Sequence, residues 1–322
     1  MIDSEIINKL KNSKNLLAFS AGVDSTALFF ILLQNSIDFD ISIVNYGLRK
    51  EAKEEIEYAK SLAKKYSKQI YIENAPKFKN NFELNAREFR YNFFSKIIKE
   101  HSYKNLLTAH QLNDKLEWHL MRLSKGAGVT TLAGMDFIEL RDSYNIIRPL
   151  LNSTKDELIE FLEKNNIKYF IDKSNFNSIY ERNTFRPIVN KLLKTGKDGF
   201  IKSFKILNID KDIIAKQYRV IKSEKELRVI KIDTIEVASQ AVSKYLKELG
   251  YLISYEEQTL LLKQNSIVAG RVWAIEIVDN TIFIAPYLQL TIPKKDRENF
   301  RVKKIPPKIR GYLYKEDISI NL

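Results

Sequence analysis

Cysteine is absent from the 322 residues. That removes disulfide frameworks, thiolate metal sites, cysteine nucleophiles and persulfide sulfur carriers together. Histidine is scarce, with three copies, so no transition-metal cluster is expected. Long apolar runs are missing as well. The longest, Ala27–Leu33, falls far short of the roughly 20 residues that a membrane-spanning helix needs. The opening MIDSEIINKL has no basic-then-apolar leader pattern. The expectation is a soluble, cytoplasmic protein with no membrane partner. No proline- or glycine-rich linker marks a domain boundary, and no internal repeat or low-complexity stretch stands out.

What the chain has is an excess of positive charge: 53 Lys plus Arg against 40 Asp plus Glu, a formal net charge of +13. Such a balance suits a phosphate-rich partner, although many basic proteins bind no nucleic acid. Its length suggests two or three domains, and 44% hydrophobic residues are ample for a buried core.

In the first half, short apolar runs at Leu16–Ser20, Ile41–Asn45, Gln69–Glu73 and Asn105–Ala109 read as strands. Helical spacings separate them, as at Leu48, Ala52, Ile56, Ala59, Leu62, Ala63 and Tyr66, and again at Ala86, Phe89, Phe93 and Ile97. Alternation of this kind predicts an α/β fold with a parallel sheet, whose ligands bind beyond the carboxyl ends of the strands. Those ends read FSAGVDS, VNYGLR, IENAP and LTAHQLND. From about Leu150 the text turns helical, with Ser153 and Thr154 as candidate caps and Asp156 and Glu157 as their partners. Helix is expected to about residue 226, and β-like segments follow at Ser266–Ala269, Val272–Val278 and Thr281–Ala285. The expected domains are a nucleotide-binding catalytic domain over 1–190, a helical basic connector over 191–229 and a small α+β domain over 230–322.

SAGVDSTAL, Ser20 to Leu28, lies between a strand and a helix. Gly22 permits a tight turn, backbone N–H groups and the helix dipole attract an anion, and Ser20 and Ser25 add hydroxyl donors. The loop lacks the lysine and spacing of a Walker motif, and no GxGxxG follows a strand. An ordinary capped helix is the bland alternative. These residues resemble the PP-loop ATP pyrophosphatases, usually written SGGxDS, which cleave ATP to AMP and pyrophosphate. The resemblance implies ATP binding by Ser20, Ala21, Gly22, Val23, Asp24 and Ser25. Ala21 departs from the usual glycine. Its methyl disfavours positive φ, so either φ is negative there or the phosphate fit is looser.

Further strings select one family within that group: VNYGLR at 44–49, NFELNAREFRYNFF at 81–94, TAHQLNDKLEWHLMRLSKGAG at 108–128, LAGM at 132–135, RPLL at 148–151 and DKSNFNSIYERNTFR at 172–186. In order and spacing they resemble the tRNA(Ile)-lysidine synthetase family over most of residues 16–190, and IPPKIRGYL resembles its C-terminal domain. The resemblance implies ligation of free lysine to C2 of the wobble cytidine in the CAU anticodon of a minor isoleucine tRNA. It proceeds through an adenylated cytidine, with ATP as co-substrate, Mg²⁺ as cofactor, and release of AMP and pyrophosphate. Whether the chain acts as a monomer or a homodimer is left open.

Asp114 and Glu117, three apart at a helix start, place two carboxylates on one face. They fit a solvated acidic helix start or a cation site. The resemblance favours lysine binding, with Asp24, His110, Asp114 and Glu117 as the expected catalytic residues and Mg²⁺ expected near Asp24. A lysine ε-ammonium, pKa about 10.4, must lose a proton before it attacks, and a carboxylate or neutral His110 suits that task. The family often has two histidines at this point, whereas Gln111 follows His110 here. His119 is expected to pack within its helix.

Arg87 and Arg90 share a helix face and suit either phosphate or an ion pair with Glu83 or Glu88. Arg122, Lys125 and Gly126, followed by Gly128, form a basic turn that by resemblance approaches the nucleotides. Arg182, Asn183 and Arg186 share a helical segment, for which the resemblance favours contact with adenylate or tRNA phosphate over a capped, exposed helix. Lys191–Lys222 holds nine basic and three acidic residues, and Thr291–Leu322 nine and four, as expected for surfaces that follow an RNA backbone. Two rival readings stand beside this one: an ammonia-dependent NAD synthetase, which shares the loop type, and a non-catalytic RNA-binding protein. Glutamine-hydrolysing and tRNA-thiolating PP-loop enzymes are disfavoured because they use cysteine.

Overall fold

The computed structural model describes residues 2–47, 51–78, 80–171 and 181–320, with the backbone alone for Glu51 and Glu181. Leu48 and Arg49 of VNYGLR, and residues 172–180 of the DKSNFNSIYERNTFR string, lie outside the described residues. The chain divides into two compact units, Met1–Lys205 and Ile206–Leu322.

The first unit runs α1 (Ser4–Lys11), β1 (Asn15–Ala18), α2 (Val23–Gln34), β2 (Asp40–Asn45), α3 (Glu51–Lys65), β3 (Ile70–Asn74), α4 (Phe82–His101), β4 (Asn105–Leu107), α5 (Leu112–Leu123), α6 (Val129–Leu132), β5 (Ile138–Leu140), β6 (Asn145–Ile147), α7 (Lys155–Lys164) and most of α8 (Glu181–Lys216). The sheet order is β3-β2-β1-β4-β6-β5, parallel throughout except for antiparallel β5. Strands of three to six residues suffice because neighbouring side chains point to opposite buried faces. Leu17, Leu107 and Ile147 pack with α1, α2, α3 and α7, whereas Leu16, Leu106 and Ile146 pack with Phe93, Phe94, Ile97 and Ile98 of α4. A ladder of amides fixes the register at the other end of the sheet. Asn145 donates to Asn105 (3.1 Å), Asn105 to Asn15 (2.9 Å), and Asn15 to the Leu10 carbonyl (2.9 Å).

β1 and β4 are hydrogen-bonded neighbours although the chain leaves β1 toward β2 and β3 before returning on the other side. The strand order therefore reverses between them. A crevice opens beyond the carboxyl ends of two strands at such a switch point, and here the loops after β1 and β4 meet.

The second unit holds the end of α8, then β7 (Tyr218–Glu224), β8 (Leu227–Ile232), α9 (Ala238–Glu248), α10 (Tyr255–Gln264), β9 (Ser266–Ala269), β10 (Trp273–Val278), β11 (Thr281–Pro286), α11 (Lys294–Val302) and α12 (Pro307–Glu316). Its sheet, β7-β8-β11-β10-β9, is antiparallel. Ile230, Ile275 and Ile282 bury one face with Val242, Leu246 and Leu261 from α9 and α10, and Val229, Ala274 and Phe283 bury the other with Ile309, Tyr312 and Leu313 from α12. The expectation of helix to residue 226 and of a connector to 229 is corrected, since strands begin at Tyr218 and β8 crosses position 230. Buried Tyr218 and part-buried Val220 alternate with Arg219 and Ile221. That is a period of two which the charged residues disguise. Among the described residues no helix is long and apolar enough to cross a membrane.

Candidate active site

The loop after β1 is folded back on itself. The backbone N–H of Ser20 donates to Ser25 Oγ (3.1 Å), the hydroxyls of Ser20 and Ser25 lie 3.0 Å apart, and Ser25 donates to the Gly22 carbonyl (3.3 Å). Gly22 caps α2 with an extended backbone, φ −75°, so it does not supply the left-handed turn. Ala21 does, at φ 57°, which excludes the first of the two alternatives, a negative φ there. For an L-residue this conformation costs about 1–2 kcal/mol. The surroundings over-determine it. Ala21 is fully buried in the core, its carbonyl accepts from the Phe170 N–H (3.0 Å), and Gly22 bridges Phe170 in parallel. Ala21→Gly would relieve the left-handed strain but remove a buried methyl and gain unfolded-state freedom, terms of similar size. Unfolding free energy is therefore expected to change by less than about 1 kcal/mol, as read by urea denaturation.

Asp24 sits in the first turn of α2. Its Oδ1 is buried without a hydrogen-bond partner. Burial foremost, and then the charge of Asp114, pushes its carboxyl up to about 7, against the pull of Lys155, Arg182 and Arg186. The first turns of α2 and α5 thus lie within electrostatic reach across the switch point, where their two carboxylates repel.

After β4, Thr108 Oγ1 meets His110 Nδ1 at 3.0 Å. Burial lowers the His110 imidazole to about 4, and Arg148, Arg182 and Arg87 reinforce that against Asp114. His110 is therefore neutral at pH 7. Gln111, the departure from the family's usual histidine, caps α5. Its side chain accepts from the Asn113 N–H (2.7 Å), while Asp114 Oδ2 accepts from the Gln111 N–H (2.9 Å). This reciprocal pair fixes the start of α5. Asn113, itself buried, ties that start to two other helices, accepting from the Lys155 N–H of α7 (3.1 Å) and donating to Asn190 of α8 (2.8 Å).

Asp114 and Glu117 share the inner face of α5, and both meet Arg182. Its Nε donates to Glu117 Oε2 (2.5 Å) and its Nη2 to Asp114 Oδ1. Arg186, one turn along α8, donates to Glu117 Oε1 (3.4 Å). Burial opposes the Arg182 charge, but the two carboxylates outweigh it and hold the guanidinium above its ordinary pKa. The resemblance favours phosphate for the two arginines; their pairing with the acidic residues carries no sequence signal, since 65 residues separate Arg182 from Glu117. Asn183 lies on the same helix, part-buried.

Other expected residues are more peripheral. Arg87 and Arg90 are exposed. Arg87 lies over the Tyr91 ring (5.0 Å), and its charge reaches His110. Arg122 stacks on Trp118 (4.1 Å) eight residues beyond Asp114, about 12 Å along α5. Lys125 and Gly126, at φ 72°, continue in the exposed turn beyond it, so the structure does not bring this basic turn to the acidic pair. His119 packs against Phe204 (5.4 Å) and meets the Leu132 carbonyl. Two further residues reach the site: Lys155, which no motif announces, and Arg148, the first residue of the RPLL string. Lys155 opens α7 with its charge felt at Asp24, and buried Arg148 is held by Glu139 (2.6 Å) and the Asp136 carbonyl (3.0 Å).

Among the described residues no cluster of three His, Cys, Asp or Glu side chains could hold a metal by itself. The lone buried Oδ1 of Asp24 does fit Mg²⁺, which is ordinarily held by one or two carboxylates together with substrate phosphates and water.

Residues 3–193 match the PP-loop domain family. A tRNA(Ile)-lysidine synthase of Wolinella succinogenes is 42% identical over 313 residues, covering 97% of this chain and 96% of that one. Its counterpart in Helicobacter pylori is 41% identical over 314 residues, covering 96% and 92%. Among solved structures, a U34-tRNA thiolase from Methanococcus maripaludis shares the fold, with a TM-score of 0.52 at 18% identity over 63% of this chain and 78% of that one. With likeness running through nearly the whole length of these relatives and the PP-loop match over residues 3–193, the chain belongs to the tRNA(Ile)-lysidine synthase family of PP-loop enzymes.

Proposed function

We propose that the protein ligates free L-lysine to C2 of the wobble cytidine in the CAU anticodon of an isoleucine tRNA, using Mg·ATP. The observation that carries this reading is the juxtaposition of the β1 loop with the Asp114–Glu117 pair, close enough for Asp114 to shift Asp24. One region serves a triphosphate and its neighbour a cationic amine. Full-length relatives favour this over the NAD synthetase and non-catalytic readings.

The cytosine C2 oxygen is a poor leaving group. In the first step it attacks the α-phosphorus of ATP, an O–P bond forms, the bond to the β-phosphate breaks and pyrophosphate departs. The N–H groups at the start of α2, with Ser20 and Ser25, hold the phosphates through this change. Mg²⁺ held by Asp24 would supply charge neutralisation for the departing pyrophosphate. In the second step the lysine ε-nitrogen forms a bond to C2, the C2–O bond breaks and AMP leaves. Asp114 and Glu117 hold the ammonium, and neutral His110 or a carboxylate takes the proton that the amine must shed.

The second unit contributes backbone binding. Lys294, Lys295 and Arg297 of α11 are exposed. Replacing all three by serine is expected to weaken tRNA binding and to flatten its logarithmic salt dependence by about one for each phosphate no longer neutralised, with Mg·ATP affinity unaltered. Filter binding over a salt series measures both.

The overall reading is tested by incubating the protein with Mg·ATP, radiolabelled lysine and either isoleucine tRNA with a CAU anticodon or methionine tRNA. ATP-dependent label on the isoleucine tRNA alone is expected. AMP formation without label would overturn the reading in favour of another ligase, and neither product would leave a binding protein.

A further inference from the structure

The acidic pair is already occupied by a cation in the free chain. The Glu117 side chain is 3% exposed and that of Asp114 17%. Two carboxylates this buried, one turn apart, do not remain charged without a partner. Arg182 is that partner, spanning both with Nε and Nη2. A guanidinium and an ammonium meet carboxylates with the same chemistry, N–H donors on a positive charge. Lysine alone would therefore exchange one cation for another with little net gain.

Two features make the occupant removable. Its side chain is 41% exposed, in contrast to Arg148, which is 5% exposed and pinned by Glu139. Its charge is also felt at Asp24 on the cradle. A triphosphate placed there would present several anionic oxygens in the planar arrangement that guanidinium prefers.

We infer that Arg182 holds the lysine pocket closed until a bound nucleotide draws its guanidinium away, so that ATP binding creates the lysine site; this rests on the assignment of Asp114 and Glu117 to lysine. Arg182 is thus a positioning residue for the order of binding. When it swings to phosphate, the carboxylates are left in need of a cation, and lysine supplies one. Neither substrate affinity alone reports this device; the coupling between them does. Coupled sites in proteins commonly differ about 5- to 150-fold in affinity between the two states of the other ligand, and the factor is reciprocal.

The test is calorimetric titration of the full chain with L-lysine, with and without a saturating, Mg²⁺-bound, non-hydrolysable ATP analogue. In the unaltered protein the analogue is expected to tighten lysine binding at least tenfold, and lysine to tighten the analogue by the same factor. Arg182→Ala should bind lysine without nucleotide at least tenfold better than the unaltered protein, and its nucleotide dependence should shrink below about twofold. Arg182→Lys keeps a cation near the pair but cannot fork across it, so its coupling should fall between the two. Equal lysine affinity with and without nucleotide in the unaltered protein would overturn the inference. So would an undiminished coupling factor in Arg182→Ala. If Arg182→Ala does not fold, the reciprocal titrations of the unaltered protein decide alone. Glu117→Gln separates the underlying assignment: unchanged lysine affinity in the presence of the analogue would mean that the pocket lies elsewhere, whatever Arg182 does.

Discussion

Glu117→Gln is expected to raise the lysine KM about a hundredfold while Mg·ATP affinity stays within about threefold. Glu117 is the more buried of the two carboxylates and meets both Arg182 and Arg186. Removing its charge without changing its shape takes away one of the two counter-charges for the ammonium. Truncating one partner of a buried, hydrogen-bonded charge pair costs about 2–5 kcal/mol, and a hundredfold effect sits near about 2.7 kcal/mol. Arg182 loses a partner as well, but its partial exposure lets water take over, so the fold should survive. Initial rates against lysine concentration at saturating ATP and tRNA measure the change. An unaltered KM would remove Glu117 from the lysine site.

Asp24→Asn should lower cytidine adenylation about 100- to 1,000-fold, the usual loss when one transition-state electrostatic interaction is removed, and should also make the ligand-free protein more stable. In the native protein the Asp24 carboxyl titrates at about 7, and a metal-bound phosphate requires its ionised form. Affinity for Mg·ATP should therefore fall about tenfold per unit as pH drops well below 7, level off above it, and show no such inflection in the asparagine variant. The stability effect has the opposite dependence on pH. The native pKa lies above the unfolded value, so between about pH 4 and 7 the folded chain holds a proton that the unfolded chain has released. This contribution is favourable at low pH and is lost as pH rises through 7. At pH 8 the burial of an ionised Asp24 destabilises the ligand-free fold by up to about 4 kcal/mol, much of which asparagine should recover. A variant that melts higher at pH 8 yet adenylates poorly would fit a carboxylate kept for chemistry at the expense of the empty fold. Thermal melts at pH 5 and 8, beside single-turnover adenylation, separate the two effects.

Much of this arrangement is legible in the sequence for identifiable reasons. The four strand ends of the first unit can be read because β1 to β4 are short apolar runs punctuated by turns, and their parallel order follows from the helices between them. Thr154 and Glu157 announce the start of α7 and form the reciprocal cap there. β5 and β6, three residues each, are too short to show a period. β7 is disguised by its charged residues. Ala21 gives no sign of positive φ, because the Phe170 bridge that holds it comes from far along the chain. The same is true of Arg182: local pattern identifies a basic helix, but only tertiary structure sets its guanidinium on two carboxylates. Gln111 reads in the sequence as a missing histidine, whereas its place three residues before Asp114 is a helix-cap spacing.

The division of labour within Asp114 limits what evolution can place at that position. One oxygen closes the first turn of α5 and the other faces the cation. Glutamate could close the turn, as Glu157 does in α7, but its extra methylene would carry the second oxygen away from where Asp114 meets the cation. Asparagine would close the turn but aim an amide dipole at the ammonium, and serine would cap without charge. Drift toward a different amino acid substrate is therefore easier through Glu117 and the arginines of α8 than through position 114, where one short carboxylate must cap the helix and face the cation at once.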